Sequence, residues 1–301
     1  DTGVIVSTAE PRWEVRVDDV RRPAAGVIAH VGQVIKGTPR AGDMAIATVD
    51  IQRRRDVMRN HTATHLLHAE LRAVLGEHAR QAGSLVAPDR LRFDFTHPEA
   101  LTQAQIERIE AGVNRNILEN YRLNISLKKR EEALAEGAMA LFGEKYGDVV
   151  RTIAIGAPDV ISFELCGGTH VEETGDIGLF LITSEGSAAA GVRRIEAVTG
   201  RAAYELVQRR FRALKQAASI LGSAVDDVPQ KVEQLRSELD ESHKRLAAQR
   251  QELASVEFAR QLENVPVVAG VPVMTAMLPH ADADTLRAMT DRFRQRYPSG
   301  V

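Results

Sequence analysis

With a single cysteine, Cys166, in 301 residues, the chain cannot close an internal disulfide, which excludes a disulfide-stapled secreted scaffold and fits a reducing, cytoplasmic compartment. No apolar run approaches the length of a membrane span, and no signal peptide is visible, so a membrane partner is not expected. No excess of one charge is present either: 39 Lys and Arg face 41 Asp and Glu, a formal net charge of −2. Any contact with nucleic acid must therefore come from local basic patches rather than a globally basic surface. Candidates are Arg53 to Arg55, Lys128 to Arg130, Arg193 with Arg194, and Arg209, Arg210 and Arg212, each of which otherwise reads as an ordinary solvated face. Internal repeats and low-complexity segments are missing, and the length allows two or three domains.

Against this plain background two short motifs stand out: HTATH, with His61 and His65, and CGGTH, with Cys166 and His170. The run RNHTATHLLHAELRAVLG reads as an amphipathic helix whose apolar face is Leu66, Leu67, Leu71, Val74 and Leu75. Asn60 is a suitable N-cap, which would put His61 near the helix start. Residues i and i+4 share a face, so both imidazoles can reach one ion. His68 is a rival ligand on that face, two turns from His61. Downstream, Asp159 to Leu165 reads as a strand that ends at Cys166, and Gly167 and Gly168 allow a tight turn that returns His170 beside it. One thiolate with imidazoles is a borderline-soft donor set that suits Zn2+. The bland alternative is a set of packed histidines and a small buried hydrophobe at Cys166.

The segments HTATHLLHAELR, QAGSLV, RFDFTH, CGGTHV and GVRRIEAVTG, in this order, resemble the editing domain of the alanyl-tRNA synthetases. The likeness covers nearly the whole chain. Threonyl-tRNA synthetase editing domains carry a related ligand set, but their second motif is closer to C-x-GPH than to the CGGTH present here. The resemblance implies hydrolysis of the 3′-terminal ester of mischarged Ser-tRNA(Ala) and Gly-tRNA(Ala). A physical need for such a site is clear. A pocket for alanine cannot strongly reject serine or glycine, because one hydroxyl or one methyl is worth only ~1–3 kcal/mol of discrimination.

The resemblance also assigns residues. His61, His65, Cys166 and His170 would hold Zn2+. Four protein ligands close a tetrahedral site, so the ion is expected to organise the pocket and the tRNA 3′ end rather than to activate water. Thr64 and Gln81 match positions that line the editing pocket, and Arg194, with Arg193 second, is expected to contact the terminal phosphate or the substrate carbonyl. Asp94, Asp176 and Glu185 qualify as a general base by residue type only. Competing readings are a freestanding trans-editing deacylase and a non-catalytic, zinc-stabilised tRNA-binding module. A zinc protease is disfavoured, because Thr62 stands where HExxH has its glutamate.

The expected fold class is α+β. Residues 1–56 read as part of a small β-barrel, with strands at Trp13 to Val20, Gly26 to Val34 and Met44 to Ile51. Residues 57–200 read as the antiparallel-sheet editing domain with the zinc site. In it, Thr102 and Gln105 form a capping box for a helix through Tyr121, and Glu131 to Leu141 reads as a further helix. Residues 201–263 keep a 3,4 spacing of apolar positions, with Gly222 and Pro229 at the connection. They read as an antiparallel helical hairpin, in the family a spacer that makes a homo-oligomer. Residues 264–301 would begin a C-terminal tRNA-binding domain, with a strand region at Val265 to Met277 and a helix from Asp282 to Arg296. The chain reads as cut at both ends, a piece of a larger synthetase.

Overall fold

A computed structural model describes residues 1–301 apart from Ala25, 141–145, Ala157 and 278–282. It is a mixed α+β chain whose described sheets are all antiparallel. The N-terminal sheet contains β1 (Gly3–Ser7), β2 (Glu14–Ala24), β3 (Val27–Lys36) and β4 (Ala45–Val49), in the order β3-β2-β1-β4. Trp13 and Val17 are buried on it, and the Trp13 indole donates to Asp43 at 2.8 Å. The strand expected to end at Ile51 stops at Val49, because Asp50 already caps a helix.

That helix, α1 (Ile51–Leu75), is longer than the sequence pattern suggested. Asp50 accepts from the Arg53 amide, and nothing between Ile51 and Met58 breaks a helix, so the helix begins well before Asn60. Asn60 is accordingly not an N-cap. It is buried in mid-helix, where its amide donates to the Ala87 carbonyl and accepts from the Thr199 hydroxyl. The domain boundary expected between residues 56 and 57 falls inside this helix.

A second sheet has the order β10-β11-β6-β5. Its strands are β5 (Gln81–Val86), β6 (Leu91–Thr96), β10 (Phe180–Ala189) and β11 (Val192–Thr199). Helices α1 and α2 (Gln103–Leu118) pack against it and against each other. The expected capping box of Thr102 and Gln105 starts α2. Leu66, Leu67 and Leu71 of α1 join Ile109, Val113, Phe93, Phe95, Ile195 and Phe180 in one buried core. At roughly 1.5–3 kcal/mol for each such side chain fully buried, this core holds α1 in place.

A third sheet, β7-β8-β9, is made by Leu123–Lys129, Val149–Ile155 and Ser162–Leu165. Its last strand ends directly before Cys166. Between β7 and β8, α3 (Arg130–Ala135) is shorter than expected, because Gly137 turns the chain with φ of 94°. The remainder of that expected helix reaches Leu141, outside the described residues. Beyond the CGGTH turn, a 3₁₀ turn over Thr174–Ile177 precedes β10, which starts at Phe180.

The chain divides into two compact units, Asp1–Arg210 and Phe211–Val301, and the division lies within α4 (Gly200–Leu221). The second unit contains the end of α4, the 36-residue α5 (Val228–Glu263), two-residue strands at Val267–Val268 and Val271–Pro272, and α6 (Ala283–Arg296). Its core is Ala254, Phe258, Met289 and Phe293. The helix expected from Asp282 starts at Ala283, and Asp282 lies outside the described residues. Both helices of the expected hairpin form, but their seams do not cover each other. Phe211 and Leu214 on α4 and Leu235, Leu239 and Leu246 on α5 are all exposed. Ser242 and Gln249, polar residues in the α5 seam, weaken any tendency to zip.

Candidate metal centre

Two elements that are far apart in sequence build the centre. The third and fourth turns of α1 supply His61 and His65, and the turn after β9 supplies Cys166 and His170. The four ligand atoms lie within 4.8 Å of one another. Cys166 Sγ is 3.4 Å from His61 Nε2 and 3.3 Å from His170 Nε2. The His61 and His170 rings are 4.3 Å apart between centroids. Tetrahedral zinc, with bonds of ~2.0–2.3 Å, sets its ligand atoms ~3.3–3.7 Å apart; the two Cys166 contacts match that spacing, and one thiolate with three imidazoles matches the ion's chemistry.

The turn is held from both sides. The Arg151 guanidinium donates to the carbonyls of Cys166, at 3.0 Å, and Gly168, at 2.6 Å. Gly168 serves a close approach rather than an unusual backbone angle. A Cβ there would stand 2.0 Å from His61 Cε1, whereas one at Gly167 would meet nothing. The Thr62 hydroxyl contacts His170 Nδ1 at 3.2 Å and accepts from the Val171 amide. Glu164, the penultimate residue of β9, is buried between two imidazoles, 2.8 Å from His65 Nδ1 and 2.9 Å from His68 Nδ1. Its carboxylate forms an aligned hydrogen bond with His68, and lies close to His65 Nδ1 but out of line with the ring N–H. His68 is therefore engaged by Glu164, and it stands outside the group of four converging ligands.

Electrostatics of the metal-free cluster favour a thiolate. Burial opposes ionisation of Cys166, but hydrogen bonds from His170, His61 and His65 outweigh it and bring the thiol down to about 3. For His65, burial disfavours the cation, yet the Glu164 charge and the thiolate raise it to about 10. His170 moves the other way, to about 4, chiefly through burial. Burial alone would raise the Glu164 carboxyl, but the adjacent charge of His65 and the hydrogen bond to His68 hold it well below the usual carboxylate range. The packing thus favours a thiolate at Cys166 and a neutral His170, while His65 is held protonated.

Comparison with known proteins gives this geometry a context. Residues 150–196, which contain Cys166, His170 and Arg194, match the family described as the threonyl and alanyl tRNA synthetase second additional domain. The alanine–tRNA ligase of Chloroflexus aurantiacus is 42% identical over 310 residues, covering 100% of this chain and 34% of that protein. Over its whole length the chain is similar to alanine–tRNA ligases. That of Roseiflexus sp. (strain RS-1) is 45% identical, covering 100% of the chain and 35% of the relative. For Xanthomonas campestris the figures are 45% identity, 95% and 32%. The chain spans about a third of the length of these curated relatives.

The remaining residues suggested by the likeness to alanine–tRNA ligases sit in less convergent surroundings. The Thr64 hydroxyl is buried and donates to the Asn60 carbonyl within α1. Gln81 opens β5 and donates to the Ser84 hydroxyl. Arg194 on β11 forks onto Asp94, directly opposite on β6, at 2.6 and 2.8 Å. Arg193 does the same with Glu185 on β10. Among the described residues, no hydrogen bond joins Thr64, Gln81 or Arg194 to the four ligands. Of the basic runs, Arg54 pairs with Asp1 and Lys128 with Glu136. Two of the carboxylates considered as bases, Asp94 and Glu185, are these arginine partners, and the Arg194 hydrogen bond lowers the Asp94 carboxyl.

Sequence reasoning missed Thr62, Arg151 and Glu164. Thr62 lies inside HTATH, one residue from His61, and Glu164 lies in the strand before CGGTH, two residues from Cys166; their polar character at positions facing a buried site was the available signal. Arg151 left no local sign, because only the pairing of β8 with β9 carries it to the turn.

Proposed function

We propose that this chain is the editing region of an alanine–tRNA ligase, a zinc-dependent aminoacyl-tRNA deacylase acting on Ser-tRNA(Ala) and Gly-tRNA(Ala). The observation that carries the reading is the convergence of His61, His65, Cys166 and His170 from α1 and the CGGTH turn, in a chain similar to alanine–tRNA ligases from end to end. Hydrolysis adds water across the ester and releases the amino acid and the free 3′-hydroxyl of the tRNA. Bound Zn2+ would supply a fixed positive charge that orders the pocket and the tRNA 3′ end. The chain's own groups do the rest. Arg151, Thr62 and Glu164 hold the ligands in place, while Thr64 and Gln81 line the pocket and Arg194 meets the terminal phosphate or the substrate carbonyl from its half-exposed position on β11.

The exposed apolar seam of α5 supports a further part of the proposal, a homo-oligomer formed through the helical segment. No described helix is long and apolar enough to cross a membrane. The barrel expected of residues 1–56 is proposed on the family likeness and on the four-stranded sheet observed there.

The test is deacylation of purified Ser-tRNA(Ala), with Ala-tRNA(Ala) as control, by the wild-type chain and by Cys166→Ala, each with its zinc content measured. Selective loss of the seryl ester with wild type, abolished in the variant, is the expected result. A folded, zinc-loaded chain that binds tRNA and hydrolyses neither ester would instead identify a non-catalytic binding module.

A further inference from the structure

We infer that Glu164 is the positioning residue of this centre. It fixes the tautomer of His65 and supplies the buried counter-charge that lets a cation sit there, with His68 as its second anchor. The inference rests on the zinc reading of the four ligands and goes beyond it to a residue that is not a ligand.

Three observations lead to it. First, Glu164 is 2% exposed, and a buried carboxylate is costly unless it is paired. Two histidines one turn apart on the buried face of α1 face it, His65 at 2.8 Å and His68 at 2.9 Å, so the carboxylate bridges both, and the Ser162 hydroxyl donates to it at 3.4 Å. Second, an oxygen at 2.8 Å from Nδ1 faces that nitrogen even though it lies out of line with the ring N–H. Two lone pairs at that separation repel, so Nδ1 carries the proton, and the lone pair of His65 Nε2 is left to the ligand cluster. Third, the charges balance. A divalent cation with one thiolate and neutral imidazoles leaves one positive charge in a buried site, and the Glu164 carboxylate cancels it. Carboxylates behind ligating histidines characteristically fix the ring and raise its basicity.

His68 completes the device. Its own Nδ1 holds the second carboxylate oxygen, while its Nε2 is buried without a hydrogen-bond partner and its ring lies against Phe93, 5.3 Å between centroids. The histidine that the sequence offered as a rival ligand is thus placed to stop the carboxylate from rotating away from His65.

The experiment is zinc binding measured by chelator competition, on wild type, Glu164→Gln and His68→Gln, with circular dichroism to confirm folding. Loss of the carboxylate charge at constant shape should weaken zinc roughly 10- to 100-fold, and His68→Gln should weaken it less. Glu164→Gln that folds and binds within about twofold of wild type would overturn the inference while leaving the metal reading intact. A wild-type chain that takes up no zinc would overturn both. Should Glu164→Gln fail to fold, the wild-type protein decides the matter. Loaded with ¹¹³Cd and labelled with ¹⁵N-histidine, it should show His65 coupled to cadmium through Nε2 with Nδ1 protonated. Coupling through Nδ1 would refute the positioning role.

Discussion

Two long helices in this chain invert the usual relation between polarity and burial. The 25-residue α1 buries Asp56, Asn60, Thr62, Thr64, His65 and His68 alongside its leucines. The 36-residue α5 buries only Ala254 and Phe258, and leaves Leu235, Leu239, Leu246, Leu253 and Val256 exposed. Burying polar groups is unfavourable unless each is satisfied, and on α1 nearly every one has a named partner on another element. Asn60 bonds to Ala87 and Thr199, Thr62 to Val171, and His68 to Glu164. A helix with that much specific polar pairing is held in one position, as a site demands. An exposed row of leucines on α5 is instead an apolar surface that no described residue covers, which is what the proposed homo-oligomer requires.

The largest difference should appear in the cores. Leu66 of α1 is fully buried among Phe93, Phe95 and their neighbours, so Leu66→Ala should destabilise the first unit by about 2–5 kcal/mol. Urea unfolding followed by far-ultraviolet circular dichroism would measure it. A cost below about 1 kcal/mol would mean that α1 is far less tightly packed than its burial indicates.

Next in size is Gly168→Ala. Its added methyl would meet His61 Cε1 at 2.0 Å, and the Arg151 bond to the Gly168 carbonyl resists movement of the turn. His61 must yield, so zinc affinity should fall by about 100-fold, in the range seen when a ligand's support is disturbed. Gly167→Ala, which meets nothing, should bind zinc like wild type. Equal behaviour of the two variants in a chelator titration would break the account of why this turn is glycine-rich.

Acidity supplies the third comparison. In the metal-free cluster His65 is held as a cation by Glu164 and the thiolate, with its pKa near 10, and must release a proton before it can ligate. Zinc therefore competes with that one proton throughout the neutral range, and affinity should rise as pH rises, by about tenfold per unit between pH 6 and 8. Cys166, already a thiolate above about 3, contributes nothing to this slope. A flat profile in chelator titrations would contradict the His65 assignment.

How much of this was legible in the sequence differs between the two helices. The i, i+4 histidines and the CGGTH turn pointed to the four side chains that converge in the structure, because short-range spacing is fixed by helix and turn geometry. The start of α1 was misplaced, since Asp50 and Asn60 are equally good caps by residue type and only the packed structure shows that Asn60 is buried. The positioning shell was out of reach for a different reason. Glu164 meets His65 and His68 through the placement of β9 against α1, a long-range juxtaposition that no local pattern records. On α5 the 3,4 spacing foretold a helix, and Gly222 and Pro229 suggested a hairpin with α4, but apolar spacing alone does not make one seam cover the other. In the structure both seams are exposed.

The smallest expected effect tests that last point. Leu246 lies in the α5 seam and is 44% exposed, so Leu246→Gln should change the unfolding free energy of the isolated chain by no more than about 0.5 kcal/mol. Glutamine is nearly as good a helix former as leucine, which removes propensity as a confounding cause. Any effect should fall instead on association, seen in sedimentation velocity as a shift toward monomer relative to wild type at equal concentration. A loss of 2 kcal/mol or more at protein concentrations where the wild type is already monomeric, about the cost of emptying a buried leucine site, would show that the seam is covered within the chain. The contrast with α1 would then collapse, and α5 would be an ordinary packed helix rather than a surface kept for a second copy.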